Sequence, residues 1–126
     1  MQTMSNSKKS LGAAGEKAAE KFLRAAGFRV LSRNYTCPAG ELDLICLDGS
    51  TIVFVEVKTR ASDDLADPET NITPAKMRKL TQVARAWLTA HRNPDCSYRF
   101  DAVSVVLGSD REPACRHIVE AFIPSR

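Results

Sequence analysis

One helix, three consecutive strands, a second helix and two more strands, read in that order from the hydropathy pattern, predict an α/β domain in the broad sense: a mixed five-stranded sheet flanked by helices. Three observations carry this. Apolar residues return every three to four positions over residues 11–26 and again over residues 74–91. Two-residue alternation fills the stretches between and after them. The strands are consecutive early in the chain but separated by a helix later, so hairpin neighbours and a crossover share one sheet. A chain of 126 residues builds one sizeable core and not two ordinary ones. A flexible tail over residues 1–10 and a single domain over 11–126 are therefore expected.

The first helix is read from Leu11, Ala14, Ala18, Phe22, Ala25 and Ala26, and Gly27 ends it. Gly12 and Gly15 each weaken a helix by about 1 kcal/mol relative to alanine. Gly15 lies on the apolar arc, where close packing of helix on sheet would account for it. Phe28 to Tyr35 reads as a strand, Cys37 to Gly40 as a turn, and Glu41 to Leu47 as a second strand that alternates charged and apolar positions. Asp48-Gly49 is a hairpin signal. The third strand, Thr51 to Arg60, sets Val53, Val55 and Val57 on one face and Ile52, Phe54, Glu56 and Lys58 on the other. An aspartate-rich connection over Ala61 to Ile72 lacks the spacing and central glycine of a calcium loop and reads as a flap over a cleft. Thr73-Pro74 then supplies an N-cap and a proline at the first helical position. The second helix runs to about His91 and buries Met77, Leu80, Ala84, Trp87 and Leu88. Arg99 to Leu107 and Cys115 to Ile123 complete the strands.

No apolar run approaches the roughly 18 residues of a spanning helix, and no apolar segment follows Lys8 and Lys9 as a secretory signal requires. A cytoplasmic protein without a membrane partner is expected. A net charge of +3 permits a nucleic-acid partner without demanding one. Cys37, Cys46, Cys96 and Cys115 are far apart, with no CxxC pair and no histidine at ligand spacing, which argues for reduced thiols and against zinc.

The chemistry concentrates where the second and third strands become ionic. Glu41 and Asp43 share one face of the second strand, and Glu56 and Lys58 share one face of the third. A two-residue loop at Asp48-Gly49 sets Glu41 opposite Glu56; a four-residue loop, with Leu47 opposite Ile52, sets Asp43 opposite Glu56 and Glu41 opposite Lys58. Both bring the four ionic residues to one face, whereas a three-residue loop sends them to opposite faces. The four-residue register is favoured, because it turns Glu41 toward a cation rather than toward another glutamate. Carboxylates crowded on an otherwise apolar patch raise one another's pKa or take a cation. A hard divalent ion, Mg²⁺ or Mn²⁺, answers that need with one or two carboxylates, several waters and substrate phosphate oxygens. Lys58 projects to the same side and would offset charge developing on a phosphodiester under attack.

The run Gly40-Glu41-Leu42-Asp43-Leu44-Ile45, followed by Val53-Phe54-Val55-Glu56-Val57-Lys58-Thr59-Arg60, resembles the metal-binding core of the PD-(D/E)XK nuclease superfamily, with Glu56-Val57-Lys58 as its ExK element. More closely, residues from about Gly12 to Leu107 are similar to the YraN family of small bacterial proteins, predicted endonucleases related to Holliday-junction resolvases. Gly15-Glu16, Gly27-Phe28, Arg33-Asn34-Tyr35, Thr73-Pro74-Ala75-Lys76 and Arg99-Phe100-Asp101 extend the likeness beyond ExK. No proline stands directly before Asp43, a departure from the superfamily's literal Pro-Asp.

The resemblance implies a restriction-endonuclease-like αβββαβ core. It implies Asp43 and Glu56 as metal ligands, the main-chain carbonyl of Val57 as a third, Lys58 as the catalytic lysine, and Glu16 facing the site from the first helix. Branched or distorted DNA as substrate and a homodimer as the working form follow from the same likeness. Glu41 reads as a partner of Lys58, a further acidic ligand, or an ordinary surface charge. Arg60 and Lys76, beside the presumed site, and Arg78, Lys79 and Arg85 along the second helix are candidate phosphate contacts. Asp101 reads as a strand-end partner of Arg99, and His91 and His117 have no assigned role. The expected function is metal-dependent hydrolysis of DNA phosphodiesters; the alternative is a non-catalytic nucleic-acid-binding or partner-docking module of the same fold.

Overall fold

The computed structural model describes residues 4–61, 72–92, 96–108 and 112–124, with side chains from Ser10 onward. The elements are α1 (Met4–Ala25), β1 (Arg29–Cys37), β2 (Gly40–Asp48), β3 (Thr51–Ala61), α2 (Pro74–Ala90), β4 (Tyr98–Leu107) and β5 (Ala114–Phe122). The five strands form one sheet in chain order, β1-β2-β3-β4-β5. β3 and β4 run parallel across the α2 crossover and the other neighbours are antiparallel. The mixed sheet flanked by two helices is thus the architecture the element order predicts. The aspartate-rich connection read as a flap falls largely on residues 62–71, outside the described residues.

Two cores follow from one sheet. On one face α2 lays Leu80, Val83, Ala84, Trp87 and Leu88 over Ile45, Ile52, Phe54 and Phe100. On the other, α1 brings Ala19 and Leu23 against Leu44, Cys46, Val53, Val55 and Val103. β3 is central and Ile52 to Val55 are buried without a break, as a strand covered on both faces requires. The edge strands β1 and β5 alternate between shielded and open positions instead.

Several boundaries and faces differ from expectation. α1 starts at Met4, so part of the stretch read as tail is helical. The face that α1 buries is centred on Gly15, Ala19 and Leu23 rather than on Ala14, Ala18 and Phe22. Small side chains decide this, because they let the helix axis come close to the sheet while Phe22 is left at the margin against His117. A Cβ on Gly15 would collide with the Thr59 side chain of β3, so the glycine is required by the approach. The β1–β2 turn tightens to Pro38-Ala39, with Cys37 paired to Gly40. The β2–β3 turn is Gly49-Ser50, with Asp48 paired to Thr51 and Gly49 at φ +62°.

Asp101 is more than a strand-end partner. It is buried to 1% exposure on β4, and its two oxygens take four donors. Arg99 Nε reaches Oδ1 at 3.0 Å and Arg99 Nη2 reaches Oδ2 at 3.2 Å. His117 Nε2 stands 2.8 Å from Oδ2, and the Glu120 backbone N–H donates to Oδ1 at 3.0 Å. The last bond sits where the β4–β5 register shifts and Glu120 adopts φ +52°, so the carboxylate holds a bulge in the edge strand. His117, without a role in the sequence reading, is a member of this cluster.

Candidate metal and nucleic-acid site

The favoured β2–β3 register is the observed one over Leu44 to Asp48, with Leu47 opposite Ile52. It does not continue to the ionic residues. The described ladder ends at Leu44 and Val55, and Asp43 turns its carboxylate onto the next strand's backbone: Oδ2 accepts the Val57 N–H at 2.7 Å. The strand turns over at this point. Leu42 and Leu44, two positions apart, should share a face, yet Leu42 packs in the α2 core and Leu44 in the α1 core. Across β1 the matching position is Asn34, held at φ +50°, in the left-handed region that asparagine tolerates best among non-glycine residues. Asp43 consequently stands between the two faces of the sheet.

That position lets carboxylates from both faces reach it. Glu56 continues the Ile52-Phe54 face of β3, and its pKa is pushed up to about 7, first by burial and then by the charge of Asp43 and a hydrogen bond with it. Lys76, at the start of α2, opposes the rise, its Nζ lying 3.4 Å from Glu56 Oε2. That contact is an ion pair without hydrogen-bond geometry, and Oε2 is buried with no hydrogen-bond partner. Glu16 arrives from α1. Its carboxyl is raised above the ordinary value by burial first and then by Asp43, while a hydrogen bond from Asn34 opposes. The Glu41 charge also raises Glu16; among the described residues Glu41 and Lys58 form no ion pair. Glu41 therefore belongs to the acidic cluster's field, and the cross-strand pair with Lys58 is not formed.

Lys58 and Arg60 follow Glu56 at two-residue steps, both half-buried, and Lys58 pairs with Ser104 in the parallel ladder. The Val57 N–H points toward β2, and in an extended strand a residue's carbonyl points to the same side. The Val57 carbonyl thus faces the opening between β2 and β3. Among the described residues no three His, Cys, Asp or Glu side chains are preassembled as a metal cage. Mg²⁺ needs less than that, one or two carboxylates with water and substrate oxygens completing its shell. A buried carboxylate oxygen without a hydrogen bond, beside a second carboxylate and an open carbonyl, fits such an ion.

The predicted phosphate contacts divide. Lys76 is at the cluster. Arg78 and Arg85 instead line a hollow of about 280 Å³ with Met77, Thr81, Gln82 and Ile123, which shares no residue with the carboxylates, and Lys79 is exposed on the same helix. A larger hollow of about 800 Å³ opens beside Glu16 and Asp43 and carries Lys17, Lys21, Arg24 and Arg33. The sequence reading passed over these cations, although Lys17, Lys21 and Arg24 recur at helical spacing on α1. Glu20 pins two of them. Arg33 Nε and Nη2 reach its two oxygens at 2.6 and 2.7 Å and Arg24 Nε lies at 2.8 Å, holding the Glu20 carboxyl down to about 2.

A family model described as "Uncharacterised protein family UPF0102" matches residues 15–105. The chain is similar to a UPF0102 protein of Geotalea daltonii, 39% identical over 117 residues that cover 93% of this chain and 92% of the relative. A UPF0102 protein of Geobacter metallireducens is 41% identical over 119 residues, 94% of this chain and 97% of that one. One from Mycolicibacterium vanbaalenii is 40% identical over 116 residues, covering 92% and 96%.

Proposed function

This chain belongs to the UPF0102 (YraN) family, and on that premise we propose that it is a cytoplasmic metal-dependent endonuclease that hydrolyses phosphodiester bonds in DNA. The observation that carries the reading is the under-paired acidic cluster: Glu56 lies in hydrogen-bond contact with a second carboxyl, that of Asp43, it keeps a buried oxygen without a hydrogen bond, and Lys58 follows on the same face. Asp43, Glu56 and the Val57 carbonyl would hold Mg²⁺ or Mn²⁺. Such an ion supplies Lewis acidity toward a phosphate oxygen and toward water.

The chain's own groups do the rest. The Val57 N–H fixes one Asp43 oxygen, so the carboxylate is oriented before any ligand arrives. Lys58 offsets the negative charge that builds on the phosphate under attack. Glu16 adds a third carboxyl beside Asp43 from the α1 side. Arg60 and the cations of the larger hollow support the reading as places for flanking phosphates. Branched DNA as substrate and a dimer as the working form extend the same reading.

Calorimetry with Mg²⁺ and Mn²⁺ on wild type and Asp43→Ala, run beside a cleavage assay on linear, single-stranded, flapped and four-way DNA, tests it. Metal uptake by wild type alone, with at least one substrate cut and Lys58→Ala inactive but folded, is the expected result. No metal uptake even with DNA present overturns it, and a chelator-insensitive DNA complex without cleavage makes the chain a binding module.

A further inference from the structure

Lys76 lies three residues into α2, where its backbone N–H donates to the Thr73 cap at 3.2 Å. Its side chain is 50% exposed, so packing does not hold it, yet Nζ leans 3.4 Å from the one Glu56 oxygen that lacks a hydrogen bond. An ammonium is a compact point charge on a flexible four-carbon stem, and such a group leaves an exposed ion pair at little cost. Glu56 Oε2 is also the atom that the metal-site reading gives to a divalent cation. The two positive species compete for the same lone pairs, and the doubly charged one has the stronger attraction at equal distance.

We infer that Lys76 is the resident counter-ion of the carboxylate site, an ammonium that keeps Glu56 company until a divalent cation displaces it and that is then free for a substrate phosphate. The inference rests on the metal-site reading above and adds a coupling to it. Lys76 lowers metal affinity while the site lacks substrate. Once a phosphate receives the released ammonium, metal and substrate favour each other's binding.

The test needs the metal alone. Mg²⁺ and Mn²⁺ affinities are measured by calorimetry on wild type, Lys76→Gln and Lys79→Gln; the last removes the same charge from an exposed position on the same helix. Lys76→Gln is expected to bind about fivefold tighter than wild type, the size of one partly exposed ion pair, and Lys79→Gln to stay within about twofold. A second readout uses unaltered protein. Acylation of individual lysine amines, followed by mass spectrometry, should show Lys76 reacting several-fold faster when Mg²⁺ is present and Lys79 unchanged. Wild type that binds metal, with Lys76→Gln no tighter or with Lys76 labelling unchanged, overturns this inference alone. Wild type that takes up neither ion overturns the metal site itself and the inference with it.

Discussion

Two carboxylates one residue apart in the β3–β4 ladder, one buried and one partly buried, are treated in opposite ways. Asp101 pairs with Val55 and faces the α1 side; Glu56 follows Val55 on β3 and faces the α2 side. Asp101 has Arg99, His117 and the Glu120 N–H on its two oxygens, and Arg99 also reaches Asp48 Oδ2 at 3.1 Å and stacks on the Phe28 ring. Glu56 has a second carboxylate, a half-exposed lysine and an oxygen without a hydrogen bond. A buried charge with every lone pair answered holds the fold together. A carboxyl left short of partners costs stability, and the cation site proposed for Glu56 is a setting in which that cost is offset.

Substitutions should separate the two. The largest effect is expected at Asp101→Ala, which takes from Arg99 one of its two carboxylates, leaves His117 and the Glu120 N–H without theirs and frees the β5 bulge; about 3–5 kcal/mol of unfolding free energy should be lost in urea titration. That is a large share of the stability of a domain this size. A loss below about 1 kcal/mol would mean that the cluster does not anchor β5.

Glu56→Gln should act with the opposite sign. The Glu56 carboxyl binds its proton more tightly folded, near 7, than at its ordinary 4.5. Its contribution is therefore complete below about 4.5 and is lost as the pH rises through about 7. At pH 8 the glutamine variant should match or exceed wild type, by about 1–3 kcal/mol. At pH 4 the two should converge. Metal uptake should vanish in the variant, and a variant less stable than wild type at pH 8 would show Glu56 to be a structural partner.

Gly15→Ala should cost about 1–3 kcal/mol through overpacking against Thr59. Thr59→Ala in the same chain should return part of that. Because Glu16 is the next residue, metal affinity should also fall in Gly15→Ala and recover with the helix position; equal affinity would separate Glu16 from the metal site. The smallest change is expected for Glu20→Gln, at most about 1 kcal/mol at neutral pH, since Arg24 and Arg33 are largely exposed. Its pKa is depressed to about 2, so the contribution is present above 4.5 and lost as the pH falls toward 2. Melting curves of the two proteins should merge at that acid limit.

Much of the scaffold was legible. Thr73-Pro74 predicts the α2 start because the cap and the proline act within one turn, and Thr73 Oγ1 does accept the Lys76 N–H. Leu47 opposite Ile52 was reached from charge complementarity, and the ladder has it. Gly15 sits close on the sheet as its place on the apolar arc predicts; the α1 face departs from hydropathy only in preferring Ala19 to Phe22, because close approach rewards small side chains. Asp101 carries more than a strand-end pairing because only two of its four donors come from Arg99, which is local, and the other two from His117 and Glu120 on β5, which are not.

The sequence by itself determined the element order, the two-faced apolar pattern of β3 and the side to which Glu56 and Lys58 project, since each depends on a local period of two or 3.6 residues. The tertiary structure decided where that period stops. β2 turns over at Asp43 opposite the left-handed Asn34, and a two-residue rule carried past that point assigns the wrong face. Only the packed molecule brings Glu16 from the α1 side and Glu56 from the α2 side to one aspartate, because that meeting depends on how a helix seated on Gly15 and a strand pair that has come apart are placed in space.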